Sequence, residues 1–203
     1  GLLPGKAYRG EVPAPPPSLG MRYTPHEALV AWARRLAVSA PDRVKAEVLN
    51  VTEEGREQLL LVITHPENLT RLESLRADNA RLADPRGVAP EEAQRLLASQ
   101  PAFVWLGYSI HGAEASGSEA SLAVAYHLAA CTDPELVEQL KRVVVIMDLT
   151  QNPDGRARLI RDVEEATQGT NPADPEDAQN RPHWPTGRFN HRLFDLNRDW
   201  AWQ

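Results

Sequence analysis

Apolar residues recur along this chain in two rhythms. Leu29, Trp32, Ala33 and Leu36 fall three or four positions apart, the spacing that lines one face of a helix. Thr24-Pro25-His26-Glu27 reads as the start of that helix, a capping box with proline at the first helical position, and Pro41 as its stop. Residues 44–52 and 58–65 are rich in Val, Leu and Ile and flank Glu53-Glu54-Gly55-Arg56-Glu57, which predicts a β-hairpin with a longer loop. Residues 68–83 and 90–99 are helical by composition, separated by Asp84-Pro85-Arg86-Gly87. Ala102 to Tyr108 is a continuous apolar run, expected of a central strand covered on both faces. Ser116 to Ala130 predicts a helix started by Ser116-Gly117-Ser118-Glu119. Asp133 to Leu140 predicts a short one capped by Asp133-Pro134. Residues 142–149, with Val143-Val144-Val145-Ile146, predict a second buried strand, and a helix follows Pro153.

Strand, helix, strand, helix from 102 to 163 is the pattern of a parallel sheet with crossover helices. The hairpin adds antiparallel character. The expected class is therefore α/β, a mixed sheet with helices on both faces. The Pro13 to Pro17 stretch marks residues 1–23 as an arm lying on the domain, and the polar, proline-rich residues 166–188 form a long loop.

Length and composition narrow the classes. A chain of 203 residues with 42% hydrophobic content makes one domain with a real core. The net charge of −6 leaves no nucleic-acid footprint. No stretch reaches the length of a membrane-spanning helix. Cys131 is the only cysteine, which excludes an internal disulfide and a cysteine-rich zinc site. Asn50-Val51-Thr52 and Asn68-Leu69-Thr70 fit the glycosylation pattern, relevant only in a eukaryotic secretory route. Gly1 in place of Met, with no signal pattern after it, reads as a processed or trimmed start.

The candidate chemistry begins at His111-Gly112-Ala113-Glu114, just past the apolar run. Ligands of open α/β sheets gather outside the carboxyl ends of strands. An imidazole and a carboxylate three residues apart can converge on one Zn²⁺, which in a catalytic site takes three protein ligands plus water. The plainer alternative is a solvated turn with an incidental His and Glu. Asn152-Pro153-Asp154-Gly155 closes the second strand as a turn that shapes the floor beside the site. Asn197 and Arg198 can clamp a carboxylate, and Arg188 is a second cation suited to an oxyanion. His26, His65 and His127 read as structural or surface histidines, whereas His183 and His191 lie late enough to approach the site. Gly107-Tyr108-Ser109-Ile110-His111 has the setting of a nucleophile elbow but lacks its final glycine, which leaves a serine hydrolase using Ser109 as a remote alternative.

Taken in order, Glu54-Gly55-Arg56, His111-x-x-Glu114, Asn152-Pro153-Asp154-Gly155 and Asp195-Leu196-Asn197-Arg198 resemble the zinc carboxypeptidase family, the carboxypeptidase A-like metallopeptidases. The resemblance runs from about Glu54 to Trp200 and implies a three-layer α/β/α fold with a mixed, mostly parallel sheet, here truncated on its C-terminal side. It implies one zinc ion held by His111 and Glu114, with Arg188 as the catalytic oxyanion arginine (Arg181 second). Asn197 and Arg198 would bind the substrate, a peptide with a free C-terminal carboxylate. The family's third ligand, general base and substrate-side tyrosine would lie beyond Gln203, so the 203 residues are expected to be inactive alone. Ala113 stands where the family carries an arginine, which separates this pocket from those of the digestive enzymes. A carboxylate-binding module without turnover is the second reading. The resemblance also suits a secreted or periplasmic protein.

Overall fold

The computed structural model describes residues 2–167 and 184–201. Among them, seven α-helices and four strands follow one another as α1 (His26–Ser39), β1 (Val44–Val51), β2 (Glu57–Thr64), α2 (Pro66–Thr70), α3 (Leu72–Ala83), α4 (Pro90–Ser99), β3 (Ala102–Gly107), α5 (Ser116–Ala130), α6 (Pro134–Leu140), β4 (Val143–Asp148) and α7 (Pro153–Thr167), with a 3-10 turn at Leu196–Arg198. The strands form one mixed sheet in the order β1-β2-β4-β3. The two apolar runs at 102 and 143 are adjacent parallel strands, with Phe103 opposite Val144 and Leu106 opposite Met147.

Strand periodicity sorts the side chains into two layers. On one face Leu59, Leu61, Ile63, Val145 and Met147 pack against Leu29, Trp32, Ala33 and Leu36 of α1 and against Leu122, Ala125 and Ala129 of α5. On the other, Val62 and Val144 meet Leu72 and Leu75 of α3. The sheet is thus flanked on both faces. Each fully buried Leu or Ile in these layers contributes roughly 1.5–3 kcal/mol relative to exposure.

The pairing itself departs from expectation. Two of the three strand pairs, β1 with β2 and β2 with β4, are antiparallel, so the sheet is mixed but not mostly parallel among the described residues. The hairpin joins the sheet through β2, which runs against β4. Only β3 to β4 is bridged by crossover helices, and only a crossover can make a parallel pair. The Ala102 run is also not a central strand here. It is the edge of the described sheet, with Val104 and Trp105 at 37% and 57% exposure. Val104 and Trp105 project from opposite faces, so neither face of this strand is fully covered by the described residues: an unbroken apolar run marks a strand, not what covers it.

Smaller differences have local causes. The helix expected over 68–83 is broken at Arg71 (φ −109°, ψ 20°). Asn68 in α2 is 2% exposed, its amide donating to Thr64 Oγ1, Leu140 O and Lys141 O, so this glycosylation pattern is buried. The capping box at Thr24 does not form, because Thr24 spends its hydroxyl and amide on the Glu119 carboxylate instead. Asp133 does cap α6, accepting from the Glu135 amide at 3.0 Å. The N-terminal arm is pinned to the domain: Val12 is buried, Trp32 Nε1 donates to Ala14 O, and the Arg9 amide donates to Ala130 O.

Candidate metal and carboxylate site

The loop after β3 is shaped by backbone contact. A Cβ on Gly112 would lie 2.1 Å from the Arg156 nitrogen and 2.3 Å from the Gly155 carbonyl carbon. A Cβ on Gly155 would lie 2.2 Å from Gly187 O. Three backbones therefore touch without side chains between them, and the Ala113 amide donates to Gly187 O at 3.1 Å. Asn152 locks the same junction, accepting from the Gly155 amide at 2.9 Å and donating to Arg188 O at 3.2 Å. The Asn-Pro-Asp-Gly segment, expected as a turn, is instead the Asn152-capped first turn of α7, and it forms the floor of this junction. It is what delivers residue 188 beside residue 111. Asp154 ties the hairpin to this floor, accepting from Thr52 Oγ1 at 2.9 Å and from Arg56 Nη1 at 2.8 Å.

His111 sits at the centre, with 5% of its side chain exposed. Its Nε2 lies 2.8 Å from Asp195 Oδ1 and its Nδ1 lies 3.0 Å from Glu114 Oε1. The Arg188 guanidinium donates through Nε to Asp195 Oδ2 at 2.7 Å and reaches His111 Nδ1 with Nη1 at 3.4 Å. Burial works against the charge on Asp195, but hydrogen bonds from His111, Arg188 and the Asn197 amide together hold its carboxyl below the usual range. With Asp195 accepting at Nε2, the tautomer that carries its proton there leaves Nδ1 as the coordinating nitrogen. Nδ1 lies at hydrogen-bond distance, 3.0 Å, from Glu114 Oε1, so an imidazole nitrogen and a carboxylate oxygen stand side by side. That is the donor set and arrangement that suits a cation. A carboxylate behind a ligating imidazole is the usual orienting partner of such a site.

The structure brings His111, Glu114 and Arg188 together. Asn197 is one step removed: its amide donates to Asp195 Oδ1 at 3.0 Å, and its side-chain oxygen accepts from Trp200 Nε1 at 3.1 Å. Arg198 is exposed, with Nη1 donating to Asn197 O. It forms no ion pair with Asp154 or Asp195, whose charges go to Arg56 and Arg188 respectively. Asp195 itself escaped the sequence reading. A carboxylate 84 residues from the imidazole obeys no spacing rule. The only signal was its membership of the Asp-Leu-Asn-Arg block.

Other candidates fall away from the centre. His191 pairs with Glu53 at the hairpin turn, 2.7 Å from its carboxylate. His26, His65 and His127 bond to Glu57 O, the Glu67 amide and the Tyr8 hydroxyl, as structural histidines do. Arg181 and His183 lie outside the described residues. The Ser109 hydroxyl is held by backbone groups, the Glu114 carbonyl and the Ser118 amide, and among the described residues no imidazole pairs with it as a base. Among the described residues no cluster of three His, Cys, Asp or Glu side chains could enclose a metal. No described helix is long and apolar enough to cross a membrane.

One further carboxyl lies beneath the site. Asp148, 1% exposed at the end of β4, has Oδ1 without a hydrogen-bond partner and Oδ2 accepting from Gln58 Nε2 at 3.1 Å. Burial pushes its carboxyl up to about 6, and hydrogen bonding offsets only part of that.

Comparison with known proteins follows the same lines. The sequence profile of the zinc carboxypeptidase family matches residues 29–203. No curated protein matches the sequence closely enough to count as a relative. Similar solved structures include carboxypeptidase A from Helicoverpa armigera (17% identity, TM-score 0.46, 67% of this chain and 26% of that one). Another is a metallo-carboxypeptidase from Burkholderia cenocepacia (19% identity, TM-score 0.46, 86% of this chain and 32% of that one). A third is thrombin activatable fibrinolysis inhibitor (13% identity, TM-score 0.48, 72% of this chain and 29% of that one). The chain thus spans about a third or less of the length of the solved structures it matches.

Proposed function

Since the chain belongs to the zinc carboxypeptidase family, we propose that the full-length protein hydrolyses a peptide or amide bond next to a free C-terminal carboxylate. The observation that carries this reading is the His111–Glu114 pair, an imidazole nitrogen and a carboxylate oxygen 3.0 Å apart, with the other ring nitrogen 2.8 Å from Asp195. Both fit zinc by donor type, and they supply two of the three protein ligands that a catalytic zinc takes. A third ligand and a general base come from residues other than those described. Bound zinc supplies a Lewis acid for the substrate carbonyl and lowers the pKa of water to about 7.

The chain's own groups divide the remaining work. Asp195 holds the Nε2 proton of His111 and so keeps Nδ1 free to bind. Arg188, braced by Asp195 and 36% exposed, offers its guanidinium to the oxygen that becomes negative as the carbonyl is attacked. Arg198 and Asn197 bind the substrate's terminal carboxylate. The support is that Arg198 is exposed with no internal ion pair among the described residues, on the turn that carries Asp195. A guanidinium matches a carboxylate through two parallel hydrogen bonds. An exported location, secreted or periplasmic, belongs to the same reading.

The test uses the zinc-loaded full-length protein and paired peptides, one with a free C-terminus and one amidated. Arg198→Ala should raise KM for the free acid by at least tenfold and change the amide little, since the amide lacks the paired charge. Equal losses on both peptides would make Arg198 structural. Zinc binding that survives His111→Ala would refute the ligand assignment.

A further inference from the structure

Ser109 stands two residues before His111 in a left-handed conformation, φ +49°, which side-chain-bearing residues seldom adopt. Glycine would take that conformation freely, so the turn alone gives no reason for a serine. The hydroxyl does. It donates to the Glu114 carbonyl at 3.0 Å and accepts from the Ser118 amide at 3.0 Å. Ser118 is the third residue of α5, whose first turn has no capping side chain of its own at Ala115. Ser109 thus supplies the missing cap from outside the helix and links it to Glu114. The site is fitted to the hydroxyl: a Cβ on Gly117 would lie 2.9 Å from Ser109 Oγ. The Ser109 carbonyl is fixed as well, accepting from the Asn152 amide at 3.2 Å.

Glu114 needs such a device. Its side chain is 65% exposed and has His111 Nδ1 as its one hydrogen-bond partner among the described residues. Side-chain contacts therefore hold it weakly, and the position of its carboxylate depends on its backbone. Building on the reading of His111 and Glu114 as zinc ligands, we propose that Ser109 is a positioning residue, whose hydroxyl fixes the Glu114 peptide against the start of α5 and so sets the carboxylate for the metal. Its contact is with the backbone of a ligand rather than with substrate or metal.

The test is zinc affinity of the full-length protein, measured by competition with a chromophoric chelator, alongside the Tm of the metal-free form. Ser109→Gly keeps the turn and removes the hydroxyl. Zinc should bind about tenfold more weakly, in the range typical of lost outer-shell contacts, while the metal-free Tm stays nearly level, because relief of the strained φ offsets the lost cap. Ser109→Ala should lose the same zinc affinity with a lower Tm than Ser109→Gly, because alanine retains the strain. Zinc affinity within twofold of wild type in Ser109→Gly would overturn the proposal, as would a loss accompanied by a lower metal-free Tm, which marks a purely structural role. His111→Ala separates the two levels. If it abolishes tight zinc binding while Ser109→Gly does not, only the role of Ser109 fails. If it leaves zinc binding intact, the ligand reading fails and this proposal with it.

Discussion

Replacing Asp148 by asparagine should change how stability depends on pH, and the size of the change follows from burial. The Asp148 carboxyl is 1% exposed, with one oxygen unpartnered, and is pushed from 3.8 to about 6. Between those values the folded protein keeps a proton that the unfolded chain has released. Stability therefore falls as pH rises through this window, by about 1.4 kcal/mol per unit. Over roughly two units the cost of ionising Asp148 in place reaches about 3 kcal/mol, fully present above the folded value and absent below pH ~4. An asparagine side chain at this position carries no such charge. Its amide can meet the Gln58 side chain, which can present either end. Urea unfolding followed by tryptophan fluorescence, run on both proteins from pH 4 to 8, isolates the group, because ion pairs such as Arg56–Asp154 are common to both. The variant's stability relative to wild type should climb with pH by about 3 kcal/mol and level off above neutrality. A difference that stays flat would show that Asp148 is not neutral at pH 5. A variant that grows relatively weaker as pH rises would show that the carboxylate has a cationic partner, and the burial reasoning would fail.

Two other perturbations probe the site's construction. Asp195→Asn should weaken zinc binding by roughly 10- to 100-fold, since the Nε2 proton of His111 and the Arg188 guanidinium both lose their charged acceptor; affinity equal to wild type in a chelator competition would remove Asp195 from its orienting role. Gly155→Ala puts a methyl group 2.2 Å from Gly187 O, so the backbone at 187–188 must move off the 112–113 loop. The cost should be about 1–3 kcal/mol in unfolding experiments, with weaker zinc binding in parallel, and an unchanged Tm would mean that the three-backbone junction is not close-packed.

Local pattern carried much of this protein. The periodic Leu29, Trp32, Ala33 and Leu36 became the buried face of α1, and the Val143 run became a strand, because burial periodicity is written residue by residue. The His111-x-x-Glu114 pair was legible for the same reason, its members being three residues apart. Ionic and backbone choices made at long range were not. Thr24 abandoned its own helix for Glu119, a partner 95 residues away, and no local preference could announce that. Whether β2 or β1 would meet β4, and that β3 would form an edge, depended on how the hairpin docked, which apolar content does not encode. The site shows the same division. Its ligand types, its arginines and its turn could be read in order along the chain. Asp195 reaching His111 and Arg188 braced beside it depend on glycines at 112, 155 and 187, which let three backbones come into contact, and Ser109 bonds to the peptide of Glu114 where Gly117 leaves room for its hydroxyl. Sequence alone determined which chemical groups were present and the elements that carry them. Tertiary packing decided which of those groups meet, because a hydrogen bond acts over about 3 Å and is indifferent to separation along the chain.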